Sequence, residues 1–228
     1  MPLKTIAIVP AHNEADRISA TLEALWNLNG VERMILVDDG SEDKTTALAR
    51  ICDAEILTAS APGKPKGKGY ALVAGFTCAR RHRPEAILMA DADLGPSATQ
   101  LSRLTSELDD DSPATIAAFP PATGGGFGLV KSYARRGISR RTCFSPAEPL
   151  SGQRALLTDT LEALPGIAPG FGAEVGMTLD LLAAGIKPLE VPLPLEHRPT
   201  GRSLAGFKHR ARQGFDIFRA FQGTRIAW

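Results

Sequence analysis

Cysteine is scarce in this chain. Cys52, Cys78 and Cys143 are odd in number and show no metal-ligand spacing. Reduced thiols in a cytoplasmic protein are expected, not a disulfide framework. Long apolar runs are missing too: none approaches the roughly 20 residues of a membrane span. The opening MPLKTIAIVPAHNE, interrupted by Asn13 and Glu14, is too short an apolar run for a signal peptide. Charge of one sign is also lacking. With 26 Lys and Arg against 25 Asp and Glu, the net charge of +1 gives no global field for nucleic acid, so any basic surface must be local. No G-x-G-x-x-G follows the first strand, where Pro10-Ala11-His12-Asn13-Glu14 stands instead. The Gly63–Gly69 stretch fails the G-x-x-x-x-G-K-[ST] spacing and does not directly follow that strand. Neither a dinucleotide dehydrogenase nor Walker-type hydrolysis is supported.

What is present is strand–helix alternation. The 228 residues, 43% hydrophobic and 22% charged, suit one soluble α/β domain. Apolar strands are expected at 4–9, 33–37, 55–58 and 86–90, with a further one near 189–191. Between them, Ile18, Leu22, Leu25 and Trp26 share helical spacing behind Asn13 as a cap. Helices are also expected over Thr45–Ile51, Tyr70–Arg81 and Ser97–Leu108, the last with Pro96 in its first turn. This alternation over the first 110 residues predicts a doubly wound, mostly parallel sheet flanked by helices. Nothing divides the chain in two. A single domain is expected, with a nucleotide-binding half over 1–120 and an acceptor half over 121–228.

Acidic residues stand just beyond three of the strands: Glu14, Asp38-Asp39, and Asp91-Ala92-Asp93. Ligands of open α/β sheets bind outside the carboxyl ends of the strands, so these carboxylates converge on one crevice. Their mutual repulsion calls for a hard divalent cation or a ligand rich in hydroxyl and N–H donors. A nucleotide-diphosphate sugar with its metal offers both. Asp91 and Asp93 are separated by one residue, so both can face the crevice, one binding metal and the other a hydroxyl. Magnesium or manganese there would neutralise charge on a departing diphosphate. Taken singly, D-x-D reads as a solvated turn, Asp38-Asp39-Gly40-Ser41 as an Asx turn, and Lys68, between two glycines, as a solvated loop lysine; together they point to nucleotide-sugar binding.

Four segments in order, VPAHNEADRI (9–18), ILVDDGSEDKT (35–45), GKGYAL (67–72) and MADADL (89–94), resemble the successive signatures of family 2-type glycosyltransferases with the GT-A fold. The resemblance covers about the first 120 residues. It implies that Pro10, Glu14 and Asp39 contact the base or ribose, that Lys68 approaches the phosphates and that Asp93 is the principal metal ligand. Ala11, Asn13, Asp91 and Ala92 complete the nucleotide-sugar set.

The second half, with PLSGQRAL, PGFGAEVGMTLDLL and VPLPLEHRPTG, is similar to glucosyl-3-phosphoglycerate synthases and polyprenyl-phosphate sugar synthases. That likeness implies an acceptor-side role for Glu174 and a metal-ligand role for His197. Glu174 also follows a glycine-rich turn and opens an apolar helix, where the helix dipole favours a carboxylate. It could act as general base in an inverting enzyme or orient the substrates in a retaining one. Ser151, Gly152, Arg198 and Arg202 are the other acceptor candidates, the arginines having forked donors suited to phosphate or carboxylate. Gly125 and Gly126 join them because they precede a basic helix, 129–141, whose free N–H groups favour an anion. The amphipathic, basic stretch 204–222 packs on its own domain, on a second subunit in a homodimer, or peripherally on a membrane.

The expected activity is metal-dependent transfer from a UDP- or GDP-sugar to an anionic acceptor, with Asp93 and Glu174 as catalytic residues. A sugar-phosphate nucleotidyltransferase would instead release pyrophosphate from a nucleoside triphosphate. A non-catalytic nucleotide-sugar sensor would bind donor and metal without turnover.

Overall fold

The computed structural model describes residues 1–119, 128–195 and 204–228; over 204–212 it describes only the backbone helix. Gly125, Gly126, His197, Arg198 and Arg202 therefore lie outside the described residues.

Seven strands form a single sheet: β1 (Thr5–Ala11), β2 (Val31–Asp39), β3 (Glu55–Ser60), β4 (Ala86–Met89), β5 (Ala114–Ala118), β6 (Arg154–Leu157) and β7 (Leu189–Pro192). Their spatial order is β3-β2-β1-β4-β6-β5-β7. Strands β1 to β4 pair in parallel, as their alternation with helices predicts. Strand β6 then enters antiparallel between β4 and β5, and β7 returns parallel to β5. The sheet is thus mixed but mostly parallel. The reversal matters for the site: the start of β6 lies against the end of β4, with Arg154 opposite Met89.

Alternation along each strand feeds two cores, one on each face. Ala7, Val9, Leu36 and Leu88 face α1 (Ile18–Trp26) and α4 (Ser102–Ser106), packing with Ile18, Leu22, Leu25 and Leu104. Ile6, Ile8, Ile35, Val37 and Ile87 face α3 (Lys68–Ala79) and α7 (Ala173–Ala183), packing with Leu72, Phe76, Met177 and Leu181. Each such fully buried Ile or Leu is worth about 1.5–3 kcal/mol against leaving it in water. A third cluster joins the far side of α7, through Val175, to Ala134 and Ile138 of α5 (Gly128–Ser139) and to Ile217 and Ala220 of α8 (Leu204–Phe221). The described part of α8 therefore packs on its own chain. The tail is tied down as well: Arg225 grips both carboxylate oxygens of Asp180 at 2.5 and 2.7 Å, and the Trp228 indole donates to the Leu164 carbonyl.

Three local expectations need correction. Trp26 is 44% exposed, because the stripe of α1 is already complete with Ile18, Leu22 and Leu25. Asn13 does not cap α1, whose N-cap is Arg17; it adopts φ 56 and turns towards the β2 loop. The expected helix over Ser97–Leu108 is a 3-10 turn, Gly95–Leu101, followed by the short α4.

Gly75 shows how closely α3 sits on the sheet. A Cβ there would lie 2.6 Å from Ile8 Cγ2 and 2.9 Å from Val37 Cγ2. Alanine would gain about 1 kcal/mol of helix propensity, while overpacking costs about 1–3 kcal/mol. Overpacking wins, since both obstructing methyls belong to fully buried, β-branched side chains. Gly75→Ala should lower the urea midpoint by an amount equivalent to about 1–2 kcal/mol without changing the m-value.

Candidate active site

The loops after β1 and β2 are built as a pair. Asn13 Oδ1 accepts the Glu42 amide at 2.8 Å, and the Ser41 hydroxyl accepts the Asn13 amide at 3.0 Å. The Glu14 amide donates to Thr45 Oγ1 at 2.8 Å, and His12 Nδ1 lies 2.9 Å from the Asp39 carbonyl. Asp43 accepts from Thr45 and Ala15; burial works against its charge, but these hydrogen bonds hold its pKa below the ordinary carboxylate value. Asn13 and Glu14 are thereby tied to the β2 loop, while Pro10 and Ala11 end β1, the Ala11 side chain packing in the core.

The two aspartates ending β2 have different tasks. Asp38 makes the Asx turn, accepting the Ser41 amide. Asp39, 5% exposed, accepts from the Ser60 hydroxyl and the Lys66 amide on Oδ1, and from the Gly67 amide at 2.7 Å on Oδ2. It clamps the Gly/Lys loop through these three bonds. Asp39→Ala would strand those donors in a buried setting and should cost about 2–4 kcal/mol in chemical denaturation.

That clamp delivers Lys68. It is not a loop residue: it opens α3 behind Gly67, whose φ of 100 suits glycine. The Lys68 ammonium lies 2.5 Å from Asp91 Oδ1 and 2.9 Å from Glu174 Oε1. Burial disfavours its charge, but the two carboxylates more than offset this and hold its pKa above the usual lysine range. The other oxygen of Asp91 accepts from Gln153 Nε2 at 2.6 Å. Gly152 completes the arrangement by absence of bulk: a Cβ there would come within 2.2 Å of the ammonium and 2.8 Å of Asp91 Oδ1.

Asp93 has a different setting. Thr21 Oγ1 donates to the Ala92 carbonyl and accepts the Gly95 amide, each at 2.8 Å, while Arg17 donates to the Asp93 carbonyl. The turn is fixed through its backbone. Among the described residues nothing hydrogen-bonds or pairs with the half-buried Asp93 carboxylate. A hard oxygen donor of this kind, rigidly backed and unsatisfied, fits a magnesium or manganese ion. Asp91, already committed to Lys68 and Gln153, does not.

On the acceptor side, Glu174 sits in the first turn of α7, 7% exposed. The turn before it, Gly170–Gly172, is held by Asp216 of α8, which accepts the Phe171 amide at 3.2 Å. Arg154, 1% exposed, donates to the Ser151 carbonyl and to Thr178 of α7, so it ties the Ser151–Gln153 segment to the same helix. Burial lowers its pKa to about 10 against the pull of Glu174 and Glu190, which leaves it charged at neutral pH. Ser151 is buried and faces Gln153 at 3.4 Å. Gln153, Arg154, Arg17 and Thr21 are the site residues that sequence reasoning missed. No spacing rule marks them; only the antiparallel entry of β6 and the docking of α1 bring them in. A separate cavity of about 710 Å³, lined by Arg141, Phe144, Lys187 and Phe221 among others, contains none of these groups.

A mostly parallel sheet that gathers carboxylates and one bridging lysine at its strand ends defines a nucleotide-sugar transferase architecture. Residues 6–160 match the family model described as glycosyl transferase family 2, and the chain belongs to that family of sugar-transferring enzymes. It is 25% identical over 199 residues to glycosyltransferase AglJ of Haloferax volcanii, covering 85% of this chain and 63% of that protein, so it spans less than two thirds of that relative. It is 25% identical over 217 residues to polyprenol monophosphomannose synthase of Mycolicibacterium smegmatis, covering 88% of this chain and 80% of that one. Among solved structures it resembles glucosyl-3-phosphoglycerate synthase of Mycobacterium tuberculosis in complex with Mn2+, UDP-glucose and phosphoglyceric acid. There the TM-score is 0.75 and the identity 22%, over 99% of this chain and 86% of that one, which establishes a shared fold.

Proposed function

We propose that the protein transfers a sugar from a UDP- or GDP-sugar to an acceptor bearing a phosphate or carboxylate, with Mg2+ or Mn2+ as cofactor. The observation that carries this reading is the Lys68 bridge. One ammonium joins Asp91 of the donor half to Glu174 of the acceptor half, beside an aspartate with no protein partner among the described residues. Asp93 would hold the metal, with His197, outside the described residues, as the further ligand. The metal supplies charge neutralisation for the leaving diphosphate. Lys68 adds positive charge at the same place. Pro10, Ala11, Asn13, Glu14 and Ala92 shape the nucleoside rim, and Asp39 holds the loop that carries Lys68. Glu174, with Oε1 on Lys68, orients the acceptor among Ser151, Gly152, Arg198, Arg202, Gly125 and Gly126.

One feature favours a polyprenyl phosphate over a small phosphorylated acid. Phe215 and Phe218 on α8 are 61% and 48% exposed, and Leu129 and Tyr133 on α5 are 86% and 42% exposed. Among the described residues no helix is long and apolar enough to cross a membrane. Exposed apolar side chains of this kind suit peripheral contact with the inner face of a membrane, where a polyprenyl phosphate would be presented.

The test is a transfer assay with UDP- and GDP-sugars, phosphoglycerate and polyprenyl phosphate, in manganese and in EDTA. We expect turnover with one donor, falling at least about 100-fold without metal. Undiminished turnover in EDTA, or pyrophosphate release from a nucleoside triphosphate in place of transfer, would contradict the proposal.

A further inference from the structure

We propose a second metal site, for zinc or a similarly borderline-soft divalent ion, formed by Glu55, Cys78 and His82 at the amino end of the parallel strands, opposite the strand-end carboxylates. One ligand atom from each residue lies within 4.8 Å of the other two. Cys78 Sγ is 3.2 Å from Glu55 Oε1, and His82 Nε2 is 3.4 Å from Glu55 Oε2. Tetrahedral zinc, with bonds of about 2.0–2.3 Å, sets neighbouring ligand atoms roughly 3.3–3.7 Å apart. The two separations fall on different oxygens of Glu55; with one ligand atom of each residue already inside 4.8 Å, a small rotation of that carboxylate would bring a single oxygen, Sγ and Nε2 to such spacings.

The cysteine spacing along the chain gave no metal signature because the third ligand comes from a different element. Cys78 and His82 are four residues apart at the end of α3 and its 3-10 extension, Arg80–His82, so they share a face. Glu55 opens β3, the edge strand of the sheet. Thiolate with imidazole and carboxylate selects zinc over the hard ions expected at Asp93. Three protein ligands leave a fourth position for water. On binding, the Cys78 proton, now donated to Glu55, passes to solvent as the sulfur–metal bond forms. Thiolate and carboxylate together neutralise the ion. Arg33, whose Nη1 lies 3.3 Å from Glu55 Oε2, then serves as an outer donor orienting that ligand.

Cys78 stands ten residues along α3 from Lys68, or about 15 Å at 1.5 Å per residue. An ion there would staple the edge strand to the helix that carries Lys68 without entering the transfer site.

Titrating metal-free protein with zinc should show one equivalent bound. Cobalt(II) in its place should give a thiolate-to-metal charge-transfer band. Cys78→Ser should abolish the band, and both Cys78→Ser and His82→Gln should weaken affinity at least about 100-fold. Cys143→Ser, at an exposed thiol, should change neither. Zinc at about 100 times its Kd should raise Tm by at least about 5 °C in the unmodified protein. Absence of stoichiometric binding, or binding unchanged in His82→Gln, would overturn the proposal. The titration needs no nucleotide sugar, so its outcome is independent of the proposed transferase reaction.

Discussion

Alanine at position 93 should give a folded protein that does not transfer sugar, with kcat lowered at least about 10³-fold, equivalent to roughly 4 kcal/mol of transition-state stabilisation. Folding and function separate at this residue for a structural reason. The turn that carries Asp93 is held by Thr21 and Arg17 through backbone carbonyls, and those bonds survive truncation of the side chain. The carboxylate itself supports nothing among the described residues. Asp93→Ala should therefore stay within about 0.5 kcal/mol of the parent in urea unfolding. Raising manganese should not restore the rate. Asp91→Ala should differ: it deprives Lys68 and Gln153 of their acceptor and should lose stability along with activity.

Lys68→Met should be the other severe change, reducing kcat about 10²–10³-fold and destabilising the fold by about 2–3 kcal/mol. The stability loss arises because Asp91 and Glu174, now joined by one ammonium, would face each other unscreened. A fully buried pair would lose about 3–5 kcal/mol on removal of one partner. Side-chain exposures of 23% for Lys68 and 30% for Asp91 reduce that figure. The pH signature has a definite sign. A lysine whose folded pKa is raised contributes stability fully below its unfolded value, near 10.4, and loses it only as pH rises through the higher folded value. The parent should thus show no loss of the Lys68 contribution up to about pH 10. The methionine variant should instead regain stability as pH falls into the carboxylate range. Equal acid dependence in both proteins would contradict the bridge.

The first 110 residues were legible because their information is local. Thr45–Ile51 forms a helix as its spacing indicates, and the strands beginning near residues 4, 33, 55 and 86 each appear within a residue or two. Convergence of the acidic tips followed from parallel topology alone. What escaped was non-local. Ala114–Ala118 is a five-residue segment with three alanines, too short and alanine-rich to announce a strand, and Arg154–Leu157 reads equally well as helix. The antiparallel pairing of β6 with β4 places Gln153 on Asp91, which no periodicity encodes. Within the motifs, chemistry was easier to read than assignment. Asp39 holds the loop's amides and Asp91 is paired with Lys68, so of the acidic residues ending β2 and β4 it is Asp93 whose carboxylate meets no partner among the described residues.

A divalent ion at Asp93 that grips a nucleoside diphosphate is tested most directly by calorimetric titration with UDP and with GDP, each in manganese and in EDTA. In the parent protein, manganese should tighten binding of one of the two at least about tenfold, close to 1.4 kcal/mol. In Asp93→Ala the affinities with and without manganese should coincide. If the alanine variant keeps the full manganese enhancement, the metal sits elsewhere and the central claim is wrong.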